Sequence, residues 1–317
     1  MSQPIPSMRA VEYDRYGEPE VLTVRTVPRP EPGPRQVLVR VRAAAVNPAD
    51  VKIRSGAMRL LSGRRFPKRT GIEFSGTVVA AGPRVTGIAV GEQVWGSIGD
   101  VAGKSGAAAE YVAVDAKAVG PAPASIELSR AAALPTGGVT ALRGLRDTLK
   151  LAAGQDLLII GAAGGVGSAA VQLGVAMGAK VSAVAGPANH ELCRDLGATQ
   201  TFDYAEPATA TGRFDAILDC HGTALGRYRR LLRRRGRILT VAPSGMGYAL
   251  LSAALPGPRV RLIVVQPHRK DLADLAKYVD SGQLRPVIED VYPLDDIAKV
   301  HTLVETGHAR GKRLLTT

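Results

Sequence analysis

Residues 156–186 read DLLIIGAAGGVGSAAVQLGVAMGAKVSAVAG, and this stretch decides the fold. Leu157–Ile160 is a short apolar run with the length and β-branched content of a buried parallel strand. Glycines follow at 161, 164, 165 and 167, and then an apolar rhythm through Ala170, Val171, Leu173, Gly174 and Met177 suits a helix packed on a sheet. Val181–Val184 reads as the next strand. Strand, glycine turn, helix and strand form the βαβ unit that sets a pyrophosphate on a helix N-terminus. A phosphate needs bare backbone N–H groups, which glycine offers because no side chain stands in the way. Gly164 lets the chain approach the anion, and Gly167 lets the helix sit close to the strand. Ala162 takes the first glycine position of G-x-G-x-x-G, with Gly161 just before it. The expected dinucleotide cradle is therefore Gly161, Ala162, Gly164, Gly165, Val166 and Gly167, with Ser168 a helix-start residue. No charge falls between Leu157 and Ala179, which also fits a membrane span. The glycines, Gln172 and the change of period inside the segment argue against that.

A chain of 317 residues exceeds one ordinary core, so two domains are expected. Hydrophobic residues at 45% and charged residues at 22% describe a globular protein, not a disordered or fibrous one. Cys193 and Cys220 are too few for a disulfide framework or a four-thiolate zinc site. A reducing compartment fits, and with no apolar signal region near the N-terminus the expectation is cytoplasmic. The net charge of +13 raises the question of nucleic acid, sharpened by Arg227, Arg229, Arg230, Arg233, Arg234, Arg235 and Arg237. That run lies in the nucleotide-binding half and reads as the solvated face of a helix between strands. Aromatics make up only 4% of the chain, too few for a stacking platform, so a nucleic-acid partner ranks last.

Taken in order, residues 9–46 read as strands, with a turn at Gly17 and a Pro-rich loop from Pro28 to Pro34. Val37, Val39 and Val41 alternate with Arg40 and Arg42. Asn47-Pro48-Ala49-Asp50 starts a short helix reaching Gly56, with Asn47 as N-cap and Asp50 four residues from a pairing partner in Arg54. Residues 57–70 form a basic loop holding Arg59, Arg64, Arg65, Lys68 and Arg69. Strands resume at 73–79, 93–96 and 109–114. From Ser129 the pattern is helical to Leu149, and after the βαβ core further strands fall at 216–219, 237–241 and 260–265. Alternating strands and helices imply an α/β fold with a doubly wound parallel sheet. The tail holds a helix, a strand near Val287 and an amphipathic helix from Leu294.

The arrangement resembles the medium-chain dehydrogenase/reductase superfamily, in particular its zinc-free quinone oxidoreductase (zeta-crystallin-like) branch. The residues that carry the likeness are Gly17–Leu22, Val46–Asp50, Gly71–Gly76, Ala109–Tyr111, Gly138–Leu142, Gly161–Gly167 and Gly307–Lys312. The resemblance implies a β-rich GroES-like catalytic domain over 1–124, a Rossmann domain over 125–265, and a segment over 266–317 that returns to the first. Zinc-dependent relatives place a cysteine on the strand leading into 46–50 and a histidine beside Glu73. Here those places hold Ala, Val and Ile72, and the five histidines show no paired ligand spacing, so no metal is expected.

A site of this kind suits acceptors that take hydride without a Lewis acid, namely quinones and carbon–carbon double bonds conjugated to a carbonyl (enones and alkenals). Lys52 is the candidate donor for the growing oxygen charge, where many quinone oxidoreductases carry tyrosine; Asn47 and Thr140 complete the candidate catalytic set. NADP(H) is expected over NAD(H), because Ala185 and Gly186 replace the acid that holds the ribose hydroxyls. Asn189, His190 and Tyr204, with Arg194 nearby, would surround the adenosine phosphate. The resemblance also places Cys220, His221, Val241, Ala242, Arg310 and Lys312 along the cofactor. Trp95 is expected to pack a strand. The basic loop admits an anionic or carrier-bound small-molecule substrate. A homodimer is implied through the strand at Leu262–Val265. The rival expectation is a cofactor-binding regulatory or nucleic-acid-associated protein without turnover.

Overall fold

The structure, a computed structural model, describes residues 6–205, 212–307 and 309–317. The first sheet pairs β1 (Ser7–Tyr13) antiparallel with β2 (Thr23–Pro28) and with β4 (Lys68–Arg69). The second centres on β3 (Gln36–Ala45), which lies antiparallel to β5 (Glu73–Ala81) and β7 (Tyr111–Asp115). β6 (Gln93–Ser97) and β8 (Val119–Pro121) extend one side. The other side is filled from the chain's far end by β16 (Lys312–Thr316), antiparallel to β3, and β15 (Ile288–Pro293). Val37, Val39 and Val41 are buried while Arg40 and Arg42 are exposed, as the alternation predicts.

The third sheet is parallel, in the order β11 (Gln200–Asp203), β10 (Lys180–Ala185), β9 (Asp156–Ile160), β12 (Phe214–Asp219), β13 (Leu232–Thr240), β14 (Val260–Leu262). Strand order reverses direction beside β9, which creates a crevice at the carboxyl ends of β9 and β12 where ligands bind in such sheets. Ten α-helices are described, in chain order α1 (Pro48–Arg54), α2 (Arg59–Ser62), α3 (Leu128–Ala131), α4 (Pro135–Arg143), α5 (Gly165–Ala176), α6 (His190–Asp195), α7 (Leu225–Arg229), α8 (Met246–Ser252), α9 (Arg269–Asp280) and α10 (Ile297–Glu305). Trp95 is paired within β6 of the second sheet, yet its side chain belongs to the Rossmann core with Leu134, Leu142, Leu272 and Leu275, so the two halves share apolar packing. No described helix is long and apolar enough to cross a membrane.

Several expectations are corrected. The arginine run is not a helix face: only Arg227 and Arg229 lie on α7, and Arg233–Arg237 lie on β13. There Arg233 pairs with Asp156 and Asp215, and Arg237 donates to the Leu149 carbonyl. Asp50 and Arg54 do not pair. Arg54 is fully buried and reaches Glu305 and the Gly17 carbonyl instead, whereas Asp50 turns inward. The basic loop is partly ordered into α2 and β4, and two of its cations are engaged. The Lys68 ammonium donates to the Ser62 and Ala102 carbonyls at 2.7 Å, and Arg69 pairs with Glu12 at 3.1 Å. The last Rossmann strand is shorter than expected, ending at Leu262.

His301 on α10 is fully buried, and neither ring nitrogen has a partner among the described residues. Burial, with the Arg54 guanidinium adding to it, holds its pKa down at about 3, from 6.5. The unfolded chain therefore takes up a proton that the folded one refuses, and stability falls as pH drops from 6.5 toward about 3. In His301→Leu we expect a Tm at neutral pH no lower than the parent's, and a shallower acid limb, both read from melts followed by circular dichroism across that range.

Candidate active site

The glycine turn carries the cofactor geometry. Gly161 has φ +76°, a left-handed conformation that a side chain would strain. The N–H of Gly161 and of Ala162 both donate to the Val184 carbonyl at 3.0 Å, fixing the turn to the adjacent strand. Gly164 caps α5 in extended backbone, and a Cβ there would meet nothing nearer than the Gly161 carbonyl oxygen at 3.7 Å. The turn is thus open at Gly164, whose N–H turns back to the Gly161 carbonyl at 3.3 Å, and the amides of Gly165–Gly167 begin a helix, the setting a pyrophosphate needs. Gly167 is the opposite case: a Cβ would overlap the Gly161 carbonyl oxygen and lie 2.7 Å from Ala162 Cα. Val166 and Ser168 belong to the first turn of α5, and Ser168 is buried, donating its N–H to the Gly164 carbonyl at 2.8 Å.

The carboxyl ends of β9, β12 and β13 bring the remaining cofactor candidates alongside. Cys220 N–H donates to the Ile160 carbonyl, and its Cβ lies 3.4 Å from where a Gly161 Cβ would stand. Asp219 is buried beneath, accepting from the amides of His221 and Gly222 and from Thr240 Oγ1. Val241 donates its N–H to the Asp219 carbonyl, and Ala242 to Thr240 Oγ1. Burial raises the Cys220 thiol, and the Cys193 thiol reaches about 11, so neither is a thiolate nucleophile. At the other end of the cleft, Ala185 closes β10 and the Gly186 backbone lies against the Tyr204 ring, 3.1 Å from a Cβ position to a ring carbon. His190 Nε2 is 3.1 Å from the Ala185 carbonyl, and Asn189 N–H donates to the Gly186 carbonyl at 2.8 Å. Arg194 reaches Thr201 Oγ1 at 3.2 Å. Arg310 is exposed; His308, beside it in the Gly307–Lys312 signature, lies outside the described residues.

Asn47, Glu73 and Lys312 form a buried cluster that joins three distant segments. The Lys312 stem lies over Gly165, and Gly311 N–H donates to the Ala163 carbonyl at 2.7 Å. The Lys312 ammonium ends on Glu73 Oε1 and Asn47 Oδ1. Asn47 Nδ2 donates to Glu73 Oε1 at 2.9 Å, and the Thr136 N–H of α4 donates to Glu73 Oε2 at 2.8 Å. Asn47 sits at the N-cap position, but its side chain is spent on this cluster. The backbone N–H of Asn47 is satisfied by Asp50 Oδ2 at 2.9 Å. Asp50 Oδ1 accepts from Gly71 N–H at 3.1 Å. Burial pushes the Asp50 carboxyl up to about 7; the two backbone N–H groups and Lys312 oppose this, and Glu73 adds to it.

Glu73 is the residue that sequence reasoning missed, although it stood inside the Gly71–Gly76 signature. Its side-chain partners lie 26 and 239 residues away, so no local pattern marked it. Glu73→Gln leaves the Lys312 ammonium buried with a weaker acceptor. We expect a loss of about 2 kcal/mol in stability, measured by urea unfolding, with the slope of the transition unchanged.

Lys52 projects from α1 half-buried, and its ammonium has no hydrogen bond or ion pair among the described residues. Thr140 is buried on α4, one turn beyond Gly137, whose Cβ position is 2.9 Å from the Gly165 carbonyl oxygen. Residues at i and i+3 share a helix face, so Thr140 continues the face that meets the glycine turn. Among the described residues no group of three or more His, Cys, Asp or Glu side chains is placed to hold a metal ion.

A six-stranded parallel sheet with a glycine-turn cradle at its switch point, joined to an antiparallel domain, defines a nicotinamide-dependent oxidoreductase of the two-domain alcohol-dehydrogenase type. Residues 33–124 match the alcohol dehydrogenase GroES-like domain, and residues 196–315 match the family described as zinc-binding dehydrogenase. A 2-methylene-furan-3-one reductase of Solanum lycopersicum is 32% identical over 320 residues, covering 97% of this chain and 79% of the relative. The NADPH-dependent alkenal/one oxidoreductase, chloroplastic, of Arabidopsis thaliana is 31% identical over 316 residues, covering 96% and 78%. The solved quinone oxidoreductase from Coxiella burnetii superposes with a TM-score of 0.89 at 30% identity, covering 98% of this chain and 100% of that one. The chain belongs to the medium-chain dehydrogenase/reductase superfamily, in its zinc-free quinone oxidoreductase branch. It is an oxidoreductase, which sets aside the reading as a regulatory protein without turnover.

Proposed function

We propose that the protein is an NADPH-dependent reductase of quinones or of carbon–carbon double bonds conjugated to a carbonyl, acting without a metal. One observation carries the reading: a half-buried ammonium, Lys52, has no partner among the described residues and stands on the helix whose N-cap, Asn47, joins the glycine turn through Lys312. The cofactor, when bound, supplies the hydride. The amides of Gly165–Gly167 would hold its pyrophosphate, with Lys312 as the neighbouring cation. Cys220–His221 and Val241–Ala242 would wall the cleft, and Thr140 would border the nicotinamide end. As hydride reaches the β-carbon, negative charge grows on the carbonyl oxygen. Lys52 holds that charge and is a source for the proton that completes reduction at the α-carbon.

Preference for the 2′-phosphate is supported by the missing acid after β10 and by the position of His190, Asn189, Arg194 and Tyr204 around Gly186. The test is a steady-state panel of enones, alkenals and quinones, followed at the nicotinamide absorbance with NADPH and then NADH. Turnover with at least one class and a kcat/KM at least tenfold higher for NADPH is expected. Silence across the panel in a protein that binds NADPH overturns the substrate class.

We further propose a division at 1–124, 125–265 and 266–317 and a reducing, cytoplasmic compartment, which suits two free thiols. A homodimer is proposed through the edge beyond β14, where Val264 is 91% exposed and Leu250 and Leu251 of α8 are also exposed. Val264→Asp is expected to halve the mass seen by light scattering; an unchanged mass overturns this interface.

A further inference from the structure

The segment after α1 presents an unusual surface. Leu60 is 95% exposed and Leu61 is 73% exposed, side by side on the single turn of α2. Arg59, Arg64 and Arg65 surround them, all exposed. Soluble monomers seldom display adjacent large aliphatic side chains without a use for them.

This display is built on a firm base. The Tyr16 hydroxyl lies 2.7 Å from Ser62 Oγ and also reaches the Gly63 carbonyl. Lys68 holds the Ser62 carbonyl from below, its ammonium 5.8 Å from the Tyr16 ring centre and 5.4 Å from that of Phe66. Tyr16 and Phe66 pack edge to face at 5.0 Å. Ser62 and Lys68 are buried. The same segment is tied to the proposed active site, because Met58 N–H donates to the Lys52 carbonyl at 3.2 Å.

We propose that Leu60 and Leu61, with Arg59, Arg64 and Arg65, form a docking platform for an anionic lipid surface. Neighbouring residues on a helix point about 100° apart, so the two leucines reach outward in different directions. A fluid acyl layer wets both, while guanidinium groups at the rim meet lipid phosphates. The chain's net charge of +13 favours the same anionic partner at longer range. Docking here sets the Lys52 turn against the membrane, where apolar quinones and alkenals dissolve; this last step rests on the substrate class proposed above.

The test uses the full-length protein with vesicles of phosphatidylcholine alone or mixed with phosphatidylglycerol. Cosedimentation with the anionic vesicles and not with the neutral ones is expected. Leu60→Ser/Leu61→Ser and, separately, Arg59→Glu/Arg64→Glu are each expected to weaken that binding tenfold or more. Both variants are expected to keep the parent's Tm, and the leucine variant its kcat with a water-soluble enone. Absence of binding to anionic vesicles overturns the platform, as does binding that survives the leucine change, since bulk charge alone would then explain it. Capture by an acidic carrier protein, with no vesicle binding, overturns it in favour of a protein partner. Loss of soluble turnover in the parent would count against the substrate class and leave the vesicle result standing.

Discussion

Gly167→Ala is expected to cost about 3 kcal/mol or more of stability and to abolish measurable NADPH binding, whereas Gly164→Ala keeps the fold and only weakens cofactor binding. The contrast follows from what each new methyl group meets. At Gly167 the neighbours are the Gly161 carbonyl, its carbon at 2.8 Å, and Ala162 Cα at 2.7 Å, all backbone. Nothing there can rotate aside, so α5 must lift off β9 and the interior opens. At Gly164 the nearest atom is 3.7 Å away, and φ −75° with ψ 177° is backbone that any residue adopts. Alanine in that capping place costs less than about 1 kcal/mol. Its methyl nevertheless projects into the space left for a phosphate. Losing one charge-assisted contact, about 1.5–3 kcal/mol, lowers NADPH affinity roughly ten- to hundredfold. Thermal melts and a fluorescence titration separate the two effects. If Gly164→Ala binds NADPH as tightly as the parent, the pyrophosphate does not lie on this turn.

The features legible in the sequence were those written in local pattern. The βαβ unit needs only a strand period, glycines at fixed offsets and a helix period, all within 31 residues. The alternation of Val37 to Arg42 likewise showed which face of β3 is buried. Pairings that cross the chain were not legible. Nothing local says that Arg54 will be captured by Glu305 rather than by Asp50 four residues away, because the choice depends on α10 packing against α1. In the same way Asn47 looked like a helix cap, and that reading held for its position but not for its side chain. Glu73 and Lys312, brought alongside by the return of β16, offered Asn47 partners 26 and 265 residues distant. The arginine run misled for a related reason. Its helix-like charge density gave no sign that β13 would extend to meet Asp156 and Asp215.

The second large effect is expected at Lys52. Lys52→Met should lower kcat about 10²- to 10³-fold, the usual consequence of removing one donor to a developing oxygen charge. The KM for NADPH should be unchanged, because Lys52 touches neither the glycine turn nor the cluster around Glu73. Its ammonium has no partner among the described residues, so the change breaks no internal ion pair, and the Tm should stay close to the parent's. Lys52→Arg then divides the two roles proposed for this residue. A guanidinium carries the charge and donates hydrogen bonds, but it does not release a proton at any usable pH. If Lys52 serves mainly to hold the growing charge, arginine restores most of kcat relative to methionine. If it delivers the proton at the α-carbon, arginine and methionine are equally slow with enones, while quinones, whose oxygens can take protons from water, suffer less. Full activity of Lys52→Met with every acceptor would remove Lys52 from the mechanism and leave oxygen stabilisation to groups elsewhere in the cleft.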